Sequence, residues 1–293
     1  VHQGTGRHGL ALFGTAGRLV LETPLPRPPA QPEVYWTFVP AVSPLVTALG
    51  EQVHWLRVLV DRTGADIELR TGGLPTDPEV APRPELAPAQ DIRQVAGSER
   101  YPVNQVRRGG WSSPRYDRSS RTSWRRNAKQ VATTVGEMAD RSGVDVVVLA
   151  GDVRGRQLVR DQLAEAVAGR VVETDAGSRA GGADETALDQ VTTEAIRQQA
   201  DSWRSDALDA YRAGRAHQLA VNGRAGVRLA LGRGQVSTLL MAPQTALPEE
   251  LIGMAASTDA ELVVVRPDEE DLADGVGAVL RWAEAQAPAP AAG

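Results

Sequence analysis

Residues 124–150 place the strongest constraint on what this chain can fold into. Trp124, Ala128, Val131, Val135 and Met138 recur at steps of three and four, which puts them along one side of a helix. Gly143 ends that pattern, and residues 144–150 follow as an apolar run broken only by Asp145. A run apolar at consecutive positions describes a strand covered on both faces. A second helical stretch over 156–167 and a short strand over 170–173 come next. Strand, helix and strand in that order predict an α/β fold whose sheet is at least partly parallel.

Around this centre the chain reads as further pieces. Residues 10–13 and 18–22 form a hairpin about Gly14-Thr15-Ala16-Gly17, and a proline-rich stretch follows over 24–32. A helix over 44–49 leads to a strand over 55–61, a turn at Arg62-Thr63-Gly64 and an alternating strand over 65–69. Residues 75–88 carry five prolines with acidic neighbours and read as an extended loop. Gly177, Gly181 and Gly182 mark a linker, after which a long helix runs from about 184 to 214. A second three-layer unit is then predicted: helix through 227–231, strand 236–241, helix 248–257, strand 261–265, short helix 269–273 and strand 276–282. The Ala/Pro-rich end is expected to be disordered. The sequence opens without Met near a strand-like stretch, so a preceding segment is expected.

Composition excludes several classes of chemistry. With no cysteine, the chain can form neither disulfides nor thiolate metal sites, and a reducing cytoplasm is the expected setting. The four histidines (His2, His8, His54 and His217) are scattered without metal-ligand spacing, so no metal and no cofactor is expected. The apolar runs fall far short of the roughly 20 residues that span a bilayer, and no membrane partner is expected. The net charge of −5 is unevenly spread. Between Glu99 and Lys129 nine Arg/Lys stand against two Asp/Glu, a cationic block inside an otherwise acidic protein. Such a block suits a focused contact with a polyanion.

Within it the stretch Arg107-Arg108-Gly109-Gly110-Trp111-Ser112-Ser113-Pro114-Arg115-Tyr116-Asp117-Arg118 is the least ordinary. Paired glycines let backbone approach a partner closely. Guanidinium groups grip phosphates bidentately, and Trp111, Tyr116 and Trp124 offer rings for stacking. Trp124 also fits the apolar stripe, which favours a core role. Ser112 or Ser113 can cap a helix entering at Pro114. The candidate RNA-binding cations are Arg107, Arg108, Arg115, Arg118, Arg121, Arg125, Arg126 and Lys129, with Gly109, Gly110 and Trp111 as a loop tip.

Other motifs carry less. Gly4-Thr5-Gly6-Arg7-His8-Gly9 has dinucleotide-loop spacing but is followed by a hairpin, not a helix. Gly223-Arg224-Ala225-Gly226 resembles an RNA-clamping GXXG loop and reads better as a helix-entry turn. Asp61, Asp66, Glu68 and Asp152 could meet at strand ends and hold two divalent ions, the basis of a metal-nuclease alternative. Against it, Asp66 and Glu68 alternate on the solvent side of a hairpin.

Taken together these stretches resemble the archaeo-eukaryotic peptide-chain release factor superfamily, in its bacterial branch, a group that includes Pelota-type rescue factors and hibernation factors. Val58-Leu59-Val60-Asp61 and its hairpin are similar to the opening of that family's RNase H-like central domain, and Val147-Val148-Leu149-Ala150-Gly151 to its next strand. Gly109-Gly110 with Ser112, Arg115, Tyr116 and Arg118 resembles the Gly-Gly-Gln loop and basic helix. Residues 260–265 and 275–282 resemble the third domain, which has the fold of kink-turn-binding ribosomal proteins.

The resemblance implies four segments: 1–52 as the remnant of an N-terminal domain, 53–176 as the central domain, 177–285 as the C-terminal α/β domain and 286–293 as a tail. It also implies a ribosomal partner, through rRNA and tRNA at the A site, and a translation elongation factor as a second partner. Hibernation or rescue is the implied role. At position 111 the sequence departs from the family. A release-factor glutamine bonds the attacking water, whereas the Trp111 indole donates one hydrogen bond and accepts none. The location of the loop therefore carries over, its hydrolytic chemistry does not, and no catalytic residue is assigned. Peptidyl-tRNA hydrolase or peptide-release activity stays open as an alternative through Gln105.

Overall fold

A computed structural model describes residues 9–25, 31–61, 63–73, 89–96, 113–179, 185–242, 249–266 and 268–283, with side chains from 123 onward in the helix that begins at Ser113. Strands β1 (Gly9–Thr15) and β2 (Arg18–Leu25) form a two-stranded antiparallel sheet. Ala16 and Gly17 both take positive φ at its turn, as a two-residue hairpin of the primed type requires. Helix α1 (Ser43–Leu49) follows, then strands β3 (Val53–Val60), β4 (Gly64–Gly72) and β5 (Asp91–Ala96). Next come α2 (Ser113–Ser142), β6 (Val146–Gly151), α3 (Val153–Arg160), α4 (Glu165–Ala168) and β7 (Val171–Thr174). The last part holds α5 (Thr186–Ala216), β8 (Ala220–Asn222), α6 (Arg224–Gly232), β9 (Val236–Met241), α7 (Glu249–Ser257), β10 (Glu261–Val264) and β11 (Val276–Leu280). The fold class is α/β, as the alternation of patterns predicted.

The chain divides into two compact units. One comprises residues 52–73 and 83–199, and is built on a mixed sheet of order β5-β4-β3-β6-β7. Its first three strands run antiparallel, while β3, β6 and β7 are parallel. This order is the RNase H-like arrangement. Leu56, Val58 and Val60 alternate along β3 into a core shared with Val131, Val135 and Met138 of α2. On the other face of β3, Arg57 is 5% exposed and holds the start of α5 through Glu185 and Asp189. The sheet is thus covered on both sides, as its continuous apolar strand demands.

The other unit comprises residues 1–51, 74–82 and 200–293. Its sheet has the order β10-β9-β11-β8, with β9 and β10 parallel and β11 antiparallel to both β9 and β8. Val227 and Leu231 of α6 and Leu251 and Ala255 of α7 pack on one face with Leu239 and Met241. Leu208 and Tyr211 of α5 pack on the other with Leu240 and Val263, giving three layers. Val42 and Val46 join the first of these cores. Helix α1 has no side-chain cap of its own. Glu249, in the first turn of α7, supplies one by accepting from the Val42 and Ser43 amides (2.9 and 3.1 Å) and from Ser43 Oγ (2.6 Å).

Several expectations need correction. The helix predicted over 156–167 is two helices, α3 and α4, parted by a turn. No helix forms over 269–273; a single 3₁₀ turn lies at Ala273–Gly275 instead. The last strand stops at Leu280 rather than 282, and β5 and β8 were not foreseen. Gly223 does enter a helix, at φ +82 immediately before α6. The Gly4–Gly9 stretch lies outside the described residues, apart from Gly9 itself, which opens β1.

Candidate nucleic-acid interface

Of the predicted RNA-binding residues, Arg107, Arg108, Gly109, Gly110 and Trp111 lie outside the described residues, as does Gln105. Arg115, Arg118 and Arg121 fall on α2, with side chains outside those described. Arg125, Arg126 and Lys129 are exposed on the same helix. Its buried stripe of Ala128, Val131, Val135 and Met138 turns them outward by the 3.6-residue period.

Their surroundings set these cations apart. Among the described residues of this unit, several arginines are matched to carboxylates: Arg57 to Asp189, Arg70 to Glu68, Arg93 to Asp91, Arg156 to Glu173 and Asp175, Arg160 to Glu173, and Arg179 to Asp61 and Asp66. Among the described residues, no carboxylate forms an ion pair with Arg125, Arg126 or Lys129. Three exposed positive charges within five residues leave a local positive field.

Beside this face lies a small cleft at the carboxyl ends of β3 and β6. In α/β sheets with parallel strands that end is the usual place for ligands. Trp124, Asn127 and Val131 of α2 form one wall, Arg154, Gly155 and Leu158 of α3 the other, and Val60, Asp61 and Asp152 the floor. Asn127 is buried, Trp124 half-buried and Arg154 exposed. Trp124 thus lines the cleft and is not among the buried residues of the core. Arg154 and Asn127 were missed. Neither sits in a local motif, and only the parallel pairing of β3 with β6 brings α3 beside α2.

The four acidic residues of the nuclease alternative have other occupations. Asp61 Oδ1 accepts from the Thr63 hydroxyl (2.7 Å), from the amides of Thr63 and Gly64 (2.6 and 2.9 Å) and from Arg179 (2.8 Å). Desolvation pulls its pKa up, but the Thr63 bonds and the Arg179 charge outweigh it and hold the carboxyl below its ordinary value. Asp66 accepts from the same guanidinium, and Glu68 pairs with Arg70 at 2.7 Å. Asp152 caps α3, its Oδ1 accepting from the Gly155 amide at 2.9 Å. Among the described residues no group of three or more His, Asp or Glu is arranged to hold a metal ion. No helix among them is long and apolar enough to cross a membrane.

The family model named bacterial archaeo-eukaryotic release factor family 2 matches residues 54–217. The chain belongs to that family. It is also 26% identical over 239 residues to Uncharacterized protein Rv2629 of Mycobacterium tuberculosis (strain ATCC 25618 / H37Rv), covering 80% of this chain and 60% of the relative. The chain thus spans less than two thirds of the length of that curated relative. Among solved structures, it is similar to archaeal Pelota in a model of ribosome-bound archaeal Pelota and ABCE1, at TM-score 0.50 and 18% identity over 78% of this chain and 61% of that one. Dom34 of S. cerevisiae, a translation termination-like factor, matches at TM-score 0.48 and 9% identity over 79% of this chain and 64% of that one. At such identities the likeness to archaeal Pelota is one of fold.

Proposed function

We propose that this protein is a ribosome-associated factor that occupies the A site in hibernation or rescue, contacting rRNA and tRNA phosphates through α2. The observation that carries this reading is the cationic face of α2, where Arg125, Arg126 and Lys129 are exposed without a carboxylate partner among the described residues. Family membership supports the same reading, as does the similarity to a Pelota described as ribosome-bound. Arg107, Arg108, Arg115, Arg118 and Arg121 extend the cationic block, and Gly109-Gly110-Trp111 is its loop tip. The tip enters the peptidyl-transferase centre without hydrolysing the ester, because an indole cannot accept a bond from the attacking water. The C-terminal α/β domain, residues 177–285, docks on a translation-factor partner.

Sedimentation with 70S ribosomes across a salt series tests this. Binding should weaken steeply as salt rises, since phosphate contacts release counterions. The triple variant R125E/R126E/K129E should leave the pellet. Unchanged binding by that variant overturns the reading. Peptide release from stalled complexes by the purified protein would instead establish the hydrolase alternative, with Gln105→Ala as its decisive variant.

A further inference from the structure

Residues 34–39, Val34-Tyr35-Trp36-Thr37-Phe38-Val39, are all β-branched or aromatic, the side chains that favour strands. Pro32 and Pro40 bound them, yet they lie in no sheet among the described residues. Val34, Trp36 and Phe38 alternate along the segment and are wholly or almost wholly exposed. Apolar surface gathered in this way marks a contact site. The same unit has the opposite deficiency, because β1 and β2 make a sheet of two strands where about three are needed for independent stability. Leu10 and Leu12 project from one face of β1 and are exposed. The two edges of this sheet differ. Strand β2 carries Arg18, Glu22 and Pro24, which deter further pairing, whereas β1 has neither charge nor proline. The unprotected edge is therefore that of β1.

A chain's own segment is badly placed to cover that edge. Leu25 lies opposite Gly9, and seven residues, four of them proline, separate it from Glu33. Running parallel to β1 on its far side requires a crossover of about a dozen residues or more. Running antiparallel means starting beside Thr15, about 20 Å away at the other end of β1, with the connector drawn across the sheet. A second copy has neither constraint. We infer that the protein pairs with a second copy of itself by reciprocal strand addition, residues 34–39 of each copy joining the β1 edge of the other and laying Trp36 and Phe38 over Leu10 and Leu12. The exchange is two-fold symmetric, so both contacts form together. Four rings at about 150–250 Å² each supply about 600–1,000 Å², and the leucines and main chain they cover carry the total past the roughly 1,200 Å² of a stable interface. Neither β1 nor residues 34–39 contains a charged side chain, so no like charges are brought opposite one another.

Light scattering on the full chain across a concentration series tests this, and the mass should rise to that of two chains. The double variant W36S/F38S and the separate variant Leu12→Lys should each weaken the dimer about tenfold or more. All three positions are exposed, so thermal melts at low concentration should match the parent and exclude a folding defect. Because the chain has no cysteine, Leu12→Cys and Phe38→Cys can be prepared separately and mixed. A short bismaleimide should then join one copy of each, and should join few copies in the Leu12→Cys preparation alone. A monomer at every concentration overturns the inference, as does a dimer that either variant leaves intact. Cross-linking within one monomeric chain that carries both cysteines also overturns it, since the segment would then cover β1 of its own copy.

Discussion

Arg179 is bound to two aspartates of the β3–β4 hairpin at once: its Nη1 donates to Asp61 Oδ1 at 2.8 Å, and its Nε to Asp66 Oδ2 at 2.9 Å. One guanidinium thus fastens the chain after β7 to the β3–β4 turn. Arg179→Ala should cost about 1 kcal/mol, in the range of partly exposed pairs. It should also raise the pKa of Asp61, because a favourable charge and hydrogen bond are removed. Since the folded-state pKa of Asp61 lies below its unfolded value, its contribution is present above that unfolded value and lost as pH falls through the folded one. Urea midpoints for parent and Asp61→Asn should therefore converge only in acid. A constant gap at all pH values would contradict the assignment.

A second prediction concerns Arg204, which is 2% exposed and faces Glu51, Glu269 and Asp201. Removing it leaves the buried Glu51 without its cation, while Asp201 and Glu269 keep Arg266. Arg204→Ala should destabilise by about 3–5 kcal/mol in chemical denaturation. Burial raises the pKa of Glu51 despite the opposing Arg204 charge. Its sign is thus the reverse of Asp61: the folded state holds the proton more tightly, so stability declines as pH rises from the ordinary carboxylate range through the raised value. Glu51→Gln should remove that decline.

Gly151, at the end of β6, has φ +102, and a Cβ placed there would sit 2.1 Å from the Val60 carbonyl oxygen. Gly151→Ala should lose at least about 1–3 kcal/mol from backbone strain, with the clash added. A thermal melt matching the parent would be inconsistent with this geometry.

Two residues of α2 should separate stability from binding. Met138 is fully buried, and Met138→Ala should cost about 2–5 kcal/mol. Lys129 is exposed, and Lys129→Ala should change stability by less than about 0.5 kcal/mol while weakening ribosome sedimentation. Denaturation and pelleting assays on both variants check the contrast.

How far these features were legible in the sequence depended on whether they were local. The stripe of α2 and the apolar run of β6 declare themselves by period, because tertiary packing there agrees with local pattern. Strand β5 does not: as an edge strand it buries only Val95 and leaves Ile92 exposed, so no alternation marks it. Strand β8 has three residues and exists through its pairing with β11. The stretch predicted as a helix over 269–273 is held open by distant partners, since Glu269 accepts from Arg204 and Glu270 from Arg212. For the site, the cations of α2 were readable as a charge block. Arg154 was not, because what makes it relevant is a neighbour thirty residues earlier in the chain, Trp124.

The clasp between Glu249 and the start of α1 bears on the order in which the protein is made. Those hydrogen bonds join partners 206 and 207 residues apart, and the unit of residues 52–73 and 83–199 is encoded between them. During synthesis that inner unit can complete its sheet while α1 still lacks a cap and an apolar surface to rest on. Maturation then proceeds from the middle outward, and α1, made before the inner unit, is secured after it.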